Sequence, residues 1–142
     1  MLFRSGEEIL FDYASLGLTL RRHPLALLRP RLSQQRLCSS EELRGFPNGR
    51  LARACGIVTV RQQPETASGV IFVTLEDETG SVNVIVWRSV RERFRRELLQ
   101  ARLLAVYGVW QREGEVCHLV AHHLRDLTPL LGRLATRSRD FH

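Results

Sequence analysis

A mainly β fold is predicted: a five-stranded barrel with one helix between its third and fourth strands, preceded by short helices. Three observations carry this. Two β-rich runs, residues 70–76 and 81–87, flank a tight polar turn, and Val, Ile, Phe, Thr and Trp suit a pleated, half-buried surface. Three further runs of strand character lie one before and two after that pair. A single amphipathic stretch separates the third run from the fourth.

The elements follow in order. Ser5 and Glu8 have capping-box spacing, and Ile9, Leu10, Tyr13 and Leu16 then recur near helical period, with Gly17 suited to a C-terminal cap. His23-Pro24 opens a second helix, with Pro24 in the first turn where no N–H is missed. Leu25, Leu27 and Leu28 form its apolar side, and Pro30 is expected to stop it. Ser39 or Ser40 caps a third turn through Leu43, ended by Gly45. Pro47-Asn48-Gly49 is a turn signal. The first barrel strand is residues 51–62, with Gly56 marking a bulge or a sharp coil. Residues 63–69 are a polar loop.

The hairpin comes next, turned by Asp77, a short side chain that bonds nearby backbone, and Gly80, which is free to take positive φ. Ser89 and Glu92 give another capping box, and Val90, Phe94 and Leu98 form a stripe on an otherwise Arg- and Glu-rich helix. Residues 102–112 and 116–127 are the last two strands, joined at Glu113-Gly114-Glu115. Three strands, a helix and two strands is the order of the OB-fold, whose second and third strands form the face that holds nucleic acid. Residues 1–49 thus read as a helical lead-in, 50–127 as the barrel and 128–142 as a tail. Leu130, Leu131 and Leu134 of the tail are expected to lie on the barrel, and its last six residues to be exposed.

Size and charge bound the function. The 142 residues support one compact domain with extra structure, and 44% hydrophobic residues can fill a core. No run of about 18 apolar residues could span a membrane, and the first eight residues contain no signal-peptide apolar segment. A cytoplasmic protein is expected. The net charge is +6, and all 21 basic residues are Arg. Genome bias accounts for the missing Lys, but the excess charge still calls for a polyanion or a solvated face. Cys38, Cys55 and Cys117 are odd in number and widely spaced, which argues for reduced thiols rather than disulfides or a zinc ribbon.

Strand alternation sorts candidate binding residues. Ile71, Val73 and Leu75, with Val82, Val84 and Val86, are the aliphatic set expected to face the core. Phe72, Thr74, Asn83 and Trp87 are then outward, where an aromatic can stack bases. Against this, Phe72 and Trp87 could be core aromatics, a reading favoured for Trp87 beside the helix start. Arg53 and Arg61 share a face of the first strand by the same alternation, and Arg112 lies near the last hairpin. These three are the phosphate candidates. Arg91, Arg93, Arg95 and Arg96 read as a solvated helix face. His118 and His122 share a strand face that His123 does not, and nothing completes a metal site by spacing. Glu76 and Asp77 point to opposite faces of a strand, which excludes a catalytic pair. No nucleophile motif or phosphate-cradling loop is present. No catalytic residue, metal or cofactor is implied.

Several segments carry a family resemblance. They are Asp12 to Leu20 with His23-Pro24-Leu25, the hairpin of residues 70–87, Leu131-Gly132-Arg133-Leu134, and the Arg137-Ser138-Arg139-Asp140-Phe141-His142 ending. Through them the chain resembles the C-terminal end of bacterial C-family DNA polymerases, most closely the error-prone, translesion branch. Those polymerases are far larger than a single domain, and their palm carboxylates have no counterpart here. The resemblance therefore implies a fragment without polymerase activity of its own. Its role would be single-stranded DNA binding beside an active site that serves DNA repair and damage tolerance. A protein-docking module for a sliding clamp or a mutagenesis accessory protein is the alternative. An anticodon-binding barrel of a tRNA synthetase shares the Leu-x-Asp-x-x-Gly turn, but the lead-in and the ending speak against it.

Overall fold

The computed structural model describes residues 11–13, 18–20, 22–64 and 69–140, with side chains over 22–64 and 69–134. Five strands close into a barrel: β3 (Leu51–Gln62), β4 (Ile71–Asp77), β5 (Gly80–Val86), β6 (Leu103–Glu113) and β7 (Val116–Asp126), in the order β3-β4-β5-β7-β6. All neighbours are antiparallel except β5 and β7. The helical segment between β5 and β6 seals one end. The turns after β4 and β6 lie at the other end, beside the short helix α2 (Ser40–Arg44).

Alternation builds the core. Ile71, Val73 and Leu75 of β4 and Val82, Val84 and Val86 of β5 are all buried, as the pattern predicts. Leu104, Val106 and Trp110 face them from β6. Leu98 and Phe94 close one end and Leu43 lies toward the other. Gly56 of β3 is required by a close approach, since a Cβ there would stand 2.8 Å from the Leu75 Cβ. The bulge itself comes later, where the β3–β4 register shifts between Val58 and Val60.

A second cluster lies outside the barrel. Leu25, Leu28 and Leu32 of α1 (Pro24–Gln34) and Leu130, Leu131 and Leu134 of α5 (Thr128–Asp140) pack on the outer wall at Cys55, Ile57, Leu103 and Ala105. Helices α1 and α5 are therefore packed onto the barrel. The tail leucines sit where the sequence places them, but on a helix.

Several local expectations are corrected. Phe11–Tyr13 and Leu18–Leu20 are short strands, β1 and β2, paired antiparallel from Phe11↔Leu20 to Tyr13↔Leu18. Each alternates apolar and polar residues, and the pairing overrides the helical spacing. Ser5, Glu8, Ile9, Leu10, Leu16 and Gly17 lie outside the described residues, as do the last two residues of the ending. Pro30 does not stop α1 but sits within it, on the exposed side, while Leu32 beyond it is fully buried. That packing outweighs the lost backbone bond. The box at Ser89 does not form either. Helix α3 (Arg88–Arg93) begins one residue earlier, with Trp87 at its N-cap, and gives way at Phe94 to α4 (Arg95–Gln100). Phe94 takes a non-helical conformation there and remains buried in the core. Of the two caps the sequence offers for α2, Ser39 is the one used, and Gly45 ends the turn as expected; the reciprocal capping box with Glu42 is added by the structure.

Candidate nucleic-acid interface

The outer face of β4 and β5 is the candidate surface. Phe72 pairs with Ile85 and Thr74 with Asn83 across the hairpin. Phe72 is 37% exposed and Ile85 half-buried, an apolar pair on an otherwise wet face. The Thr74 hydroxyl lies 3.5 Å from Asn83 Oδ1. Trp87 is 48% exposed, so the core reading favoured for it in the sequence is corrected. It keeps the outward phase of Asn83 and Ile85 into the first residue after the strand. The parallel register of Val84 with Leu119 and Ile85 with Val120 brings β7 alongside, with half-buried His118 next to Asn83.

Basic groups stand at both ends of this face. At one end a cleft is lined by Gln63, Gly69, Arg88, Arg91 and Arg95. Arg91 reaches across it, its Nη1 donating to the Gly69 carbonyl at 3.3 Å, and Arg88 pairs with Glu92 at 3.1 Å. Arg91, Arg93, Arg95 and Arg96 read in sequence as a solvated face; two of them, Arg91 and Arg95, line a concave surface with Arg88, next to Trp87. Only the fold reveals this, because the partner loop is distant in sequence. At the other end a groove holds Asn48, Gln111, Arg112 and His118. The Asn48 Oδ1 accepts from the Arg112 backbone N–H at 2.8 Å, and Arg112 Nη1 donates to the Arg44 carbonyl at 3.0 Å. Arg112 is thereby positioned and still exposed.

The phosphate candidates separate. Arg53 is exposed on the β3–β6 wall, its guanidinium 5.3 Å from the centre of the Tyr107 ring. Arg61 is elsewhere, and the shared face expected for the two is corrected. The shift between Val58 and Val60 reverses the alternation, so Arg61 pairs with inward-facing Val73 while Val60 and Gln62 pair with outward-facing Thr74 and Phe72. At the barrel end Arg61 donates to the carbonyls of Leu98 (Nε, 2.8 Å) and Ala101. These are orphan acceptors at the end of α4. Partial burial lowers the Arg61 pKa.

The turn between β4 and β5 is occupied internally. Asp77, 5% exposed, accepts from the backbone N–H of Ser40 (2.7 Å), Thr79 (2.8 Å) and Gly80 (3.0 Å), and from two hydroxyls. His23 Nδ1 accepts from the Leu25 N–H, which leaves the proton on Nε2, 3.1 Å from Glu76 Oε1. Burial lowers the His23 pKa, against the opposing pull of Glu76. Glu76, though outward in phase, is thus covered, and the open part of the face is the Phe72–Trp87 end. Burial also pushes the Cys55 thiol up to about 12, so it stays protonated. Among the described residues no three His, Cys, Asp or Glu side chains group as a metal site, and no helix is long and apolar enough to cross a membrane.

Comparison with known proteins agrees with this geometry. The chain is 66% identical over 137 residues to an error-prone DNA polymerase of Ralstonia nicotianae, a match covering 96% of this chain and 13% of that protein. To the error-prone DNA polymerase of Burkholderia mallei it is 62% identical, again over 96% of this chain and 13% of the relative. The chain thus spans a small part of the length of the curated relatives it matches. Among solved structures, asparaginyl-tRNA synthetase from Pyrococcus horikoshii superposes with a TM-score of 0.54 at 19% identity, covering 64% of this chain and 22% of the other. A protein titled OBody AM1L10, bound to hen egg-white lysozyme, gives 0.52 at 13% identity, over 65% and 91%. At such identities these two speak for the fold alone. A family model described as an OB-fold nucleic acid binding domain matches residues 52–127, the whole barrel, and the chain belongs to that family.

Proposed function

We propose that the chain binds single-stranded DNA on the outer β4–β5 face, as the nucleic-acid-holding part of an error-prone DNA polymerase that serves DNA repair. The observation that carries this is the outward Phe72–Ile85 pair, with Phe72 exposed, set between two arginine-bearing grooves. An apolar platform accepts bases of any sequence, and flanking guanidinium groups track the phosphates. The names of the similar polymerases support the same assignment. Catalysis is assigned on this reading to other parts of such polymerases, and the chain works in the cytoplasm.

The proposed contacts are Phe72, Thr74, Asn83 and Trp87 to bases and Arg112 to phosphate, joined by Arg88, Arg91 and Arg95. Arg53 belongs to a separate wall. Arg61, held by two carbonyls, is withdrawn from phosphate binding. Exposed Leu51 and Val116 favour a second reading, a docking surface for a clamp or accessory protein.

Salt discriminates the two. Binding of a labelled oligothymidine, followed by fluorescence anisotropy, should weaken with a slope near −0.7 per phosphate contact in a plot of log affinity against log salt. Absence of binding at low salt would move the assignment to protein docking.

A further inference from the structure

The wall of the barrel formed by β3 and β6 carries a third groove, of about 670 Å³, lined by Arg36, Arg50 and Arg53 with the Phe46 and Tyr107 rings. No acidic residue lines it. Among the described residues none of the three arginines has an ion-pair partner. Two stand over aromatic rings: the Arg50 guanidinium carbon lies 3.9 Å from the Phe46 ring centre and that of Arg53 5.3 Å from that of Tyr107. A guanidinium plane supported in this way binds phosphate and stacks a base. Gly108 forms part of the floor, because the Val120 carbonyl of β7 leaves no space for a Cβ.

Arg36 supplies an independent observation. It follows the C-cap of α1, with φ of 62°, the left-handed region. The Leu37 N–H bonds to the Leu32 carbonyl (3.0 Å) and the Arg36 N–H to that of Ser33 (2.9 Å). This is the Schellman ending, where glycine is the usual residue at the left-handed position. An arginine there is strained, and its side chain goes to the groove rather than into the fold. Strained residues of this kind cluster at functional sites.

The groove also adjoins the candidate interface. Val109 lines both this groove and the one at Arg112 and His118. It is joined to the face by an unbroken row of paired residues, Phe72, Ile85, Val120 and Val109, across β4, β5, β7 and β6. We propose that the Arg36–Arg50–Arg53 groove is a second phosphodiester site, which takes the continuation of the single strand held on the β4–β5 face. The continuation rests on the function proposed above; the anion-binding groove itself does not.

The test uses the full chain and two oligothymidines, of about 4 and about 16 nucleotides, the limits of what one such barrel covers. Arg36→Gly is the decisive variant, because it relieves the backbone. It should raise the melting temperature and yet weaken the long oligonucleotide several-fold, leaving the short one unchanged. The pair Arg50→Gln with Arg53→Gln should weaken the long one further and reduce its salt slope by about 1.4, two contacts at 0.7 each. Phe72→Ala should weaken both lengths. Groove variants that bind the long oligonucleotide like wild type overturn this inference while leaving the β4–β5 reading in place. Loss in the groove variants with none in Phe72→Ala does the reverse. A polyglutamate peptide that binds as tightly as the long oligonucleotide, and loses as much on Arg36→Gly, would make the groove a site for acidic protein segments and overturn it as well. No binding of either oligonucleotide overturns both.

Discussion

Arg29 of α1 donates to both carboxylate oxygens of Glu78 in the β4–β5 turn, from Nε at 2.7 Å and from Nη2 at 2.6 Å. A third bond, from Nη1 to the Leu37 carbonyl at 3.2 Å, fixes the same guanidinium to the end of the helix. Helix and hairpin are thus fastened together far apart in sequence. The turn that most strongly signals the fold is used for internal assembly, and the proposed binding face begins beyond it.

This clamp has a pH signature. Burial alone would raise the Glu78 pKa, but the Arg29 hydrogen bonds and charge outweigh it and hold the carboxyl below its usual range. A carboxylate depressed in the folded state stabilises above its unfolded pKa, and that contribution is lost as pH falls through the folded value. Arg29→Ala should cost about 1–2 kcal/mol at neutral pH, as expected for a charge-assisted, partly buried pair. Its stability should also fall less steeply than that of wild type in acid below about pH 4, near the ordinary carboxylate range. Urea melts at a series of pH values read both effects, and parallel acid profiles would refute the account of the clamp.

Asp77 holds the turn and the start of α2 at once, accepting from three backbone N–H groups and two hydroxyls. Asp77→Asn can keep an oxygen on the four donors that Oδ1 serves, but it turns an amide NH2 toward the Ser40 N–H that Oδ2 accepts. The expected loss is about 2–4 kcal/mol, typical of a broken buried polar network. Thermal denaturation followed by circular dichroism would show it as a markedly lower melting temperature. A melt equal to wild type would mean that the network is not formed in solution.

Arg61 and Arg112 were equal candidates in sequence and should part in the test tube. Arg61→Ala leaves the Leu98 and Ala101 carbonyls without their donor, and should cost stability of about 1 kcal/mol while leaving the salt slope for DNA unchanged. Arg112→Ala should lower that slope by about 0.7. The reverse pattern would return Arg61 to the binding surface.

Much of the fold is legible because alternation is a local signal. Val73 and Val84 are buried and Phe72 and Asn83 outward as their phase requires. A serine cap on the α2 turn, at Ser39 or Ser40, was also readable, since its parts lie within a few residues, and the structure selects Ser39. Arg61 was not, because one extra residue near Thr59 reverses the phase of everything after it and leaves no mark in composition. The strand pairing of Phe11–Tyr13 with Leu18–Leu20, and the continuation of α1 through Pro30, depend on contacts that local propensity does not contain. The arginine cleft beside Trp87 was hidden for the same reason: Arg91 meets Gly69 only once the barrel has closed.

The central claim, that the β4–β5 face holds single-stranded DNA, is tested most directly by comparing wild type and Phe72→Ala for oligothymidine affinity at low salt, by fluorescence anisotropy. Phe72 is outward and open, so the variant should keep the wild-type melting temperature to within a few degrees. The account predicts an affinity loss of about 1–3 kcal/mol, the worth of one base stacked on an aromatic ring. Equal affinities in two equally folded proteins would contradict it.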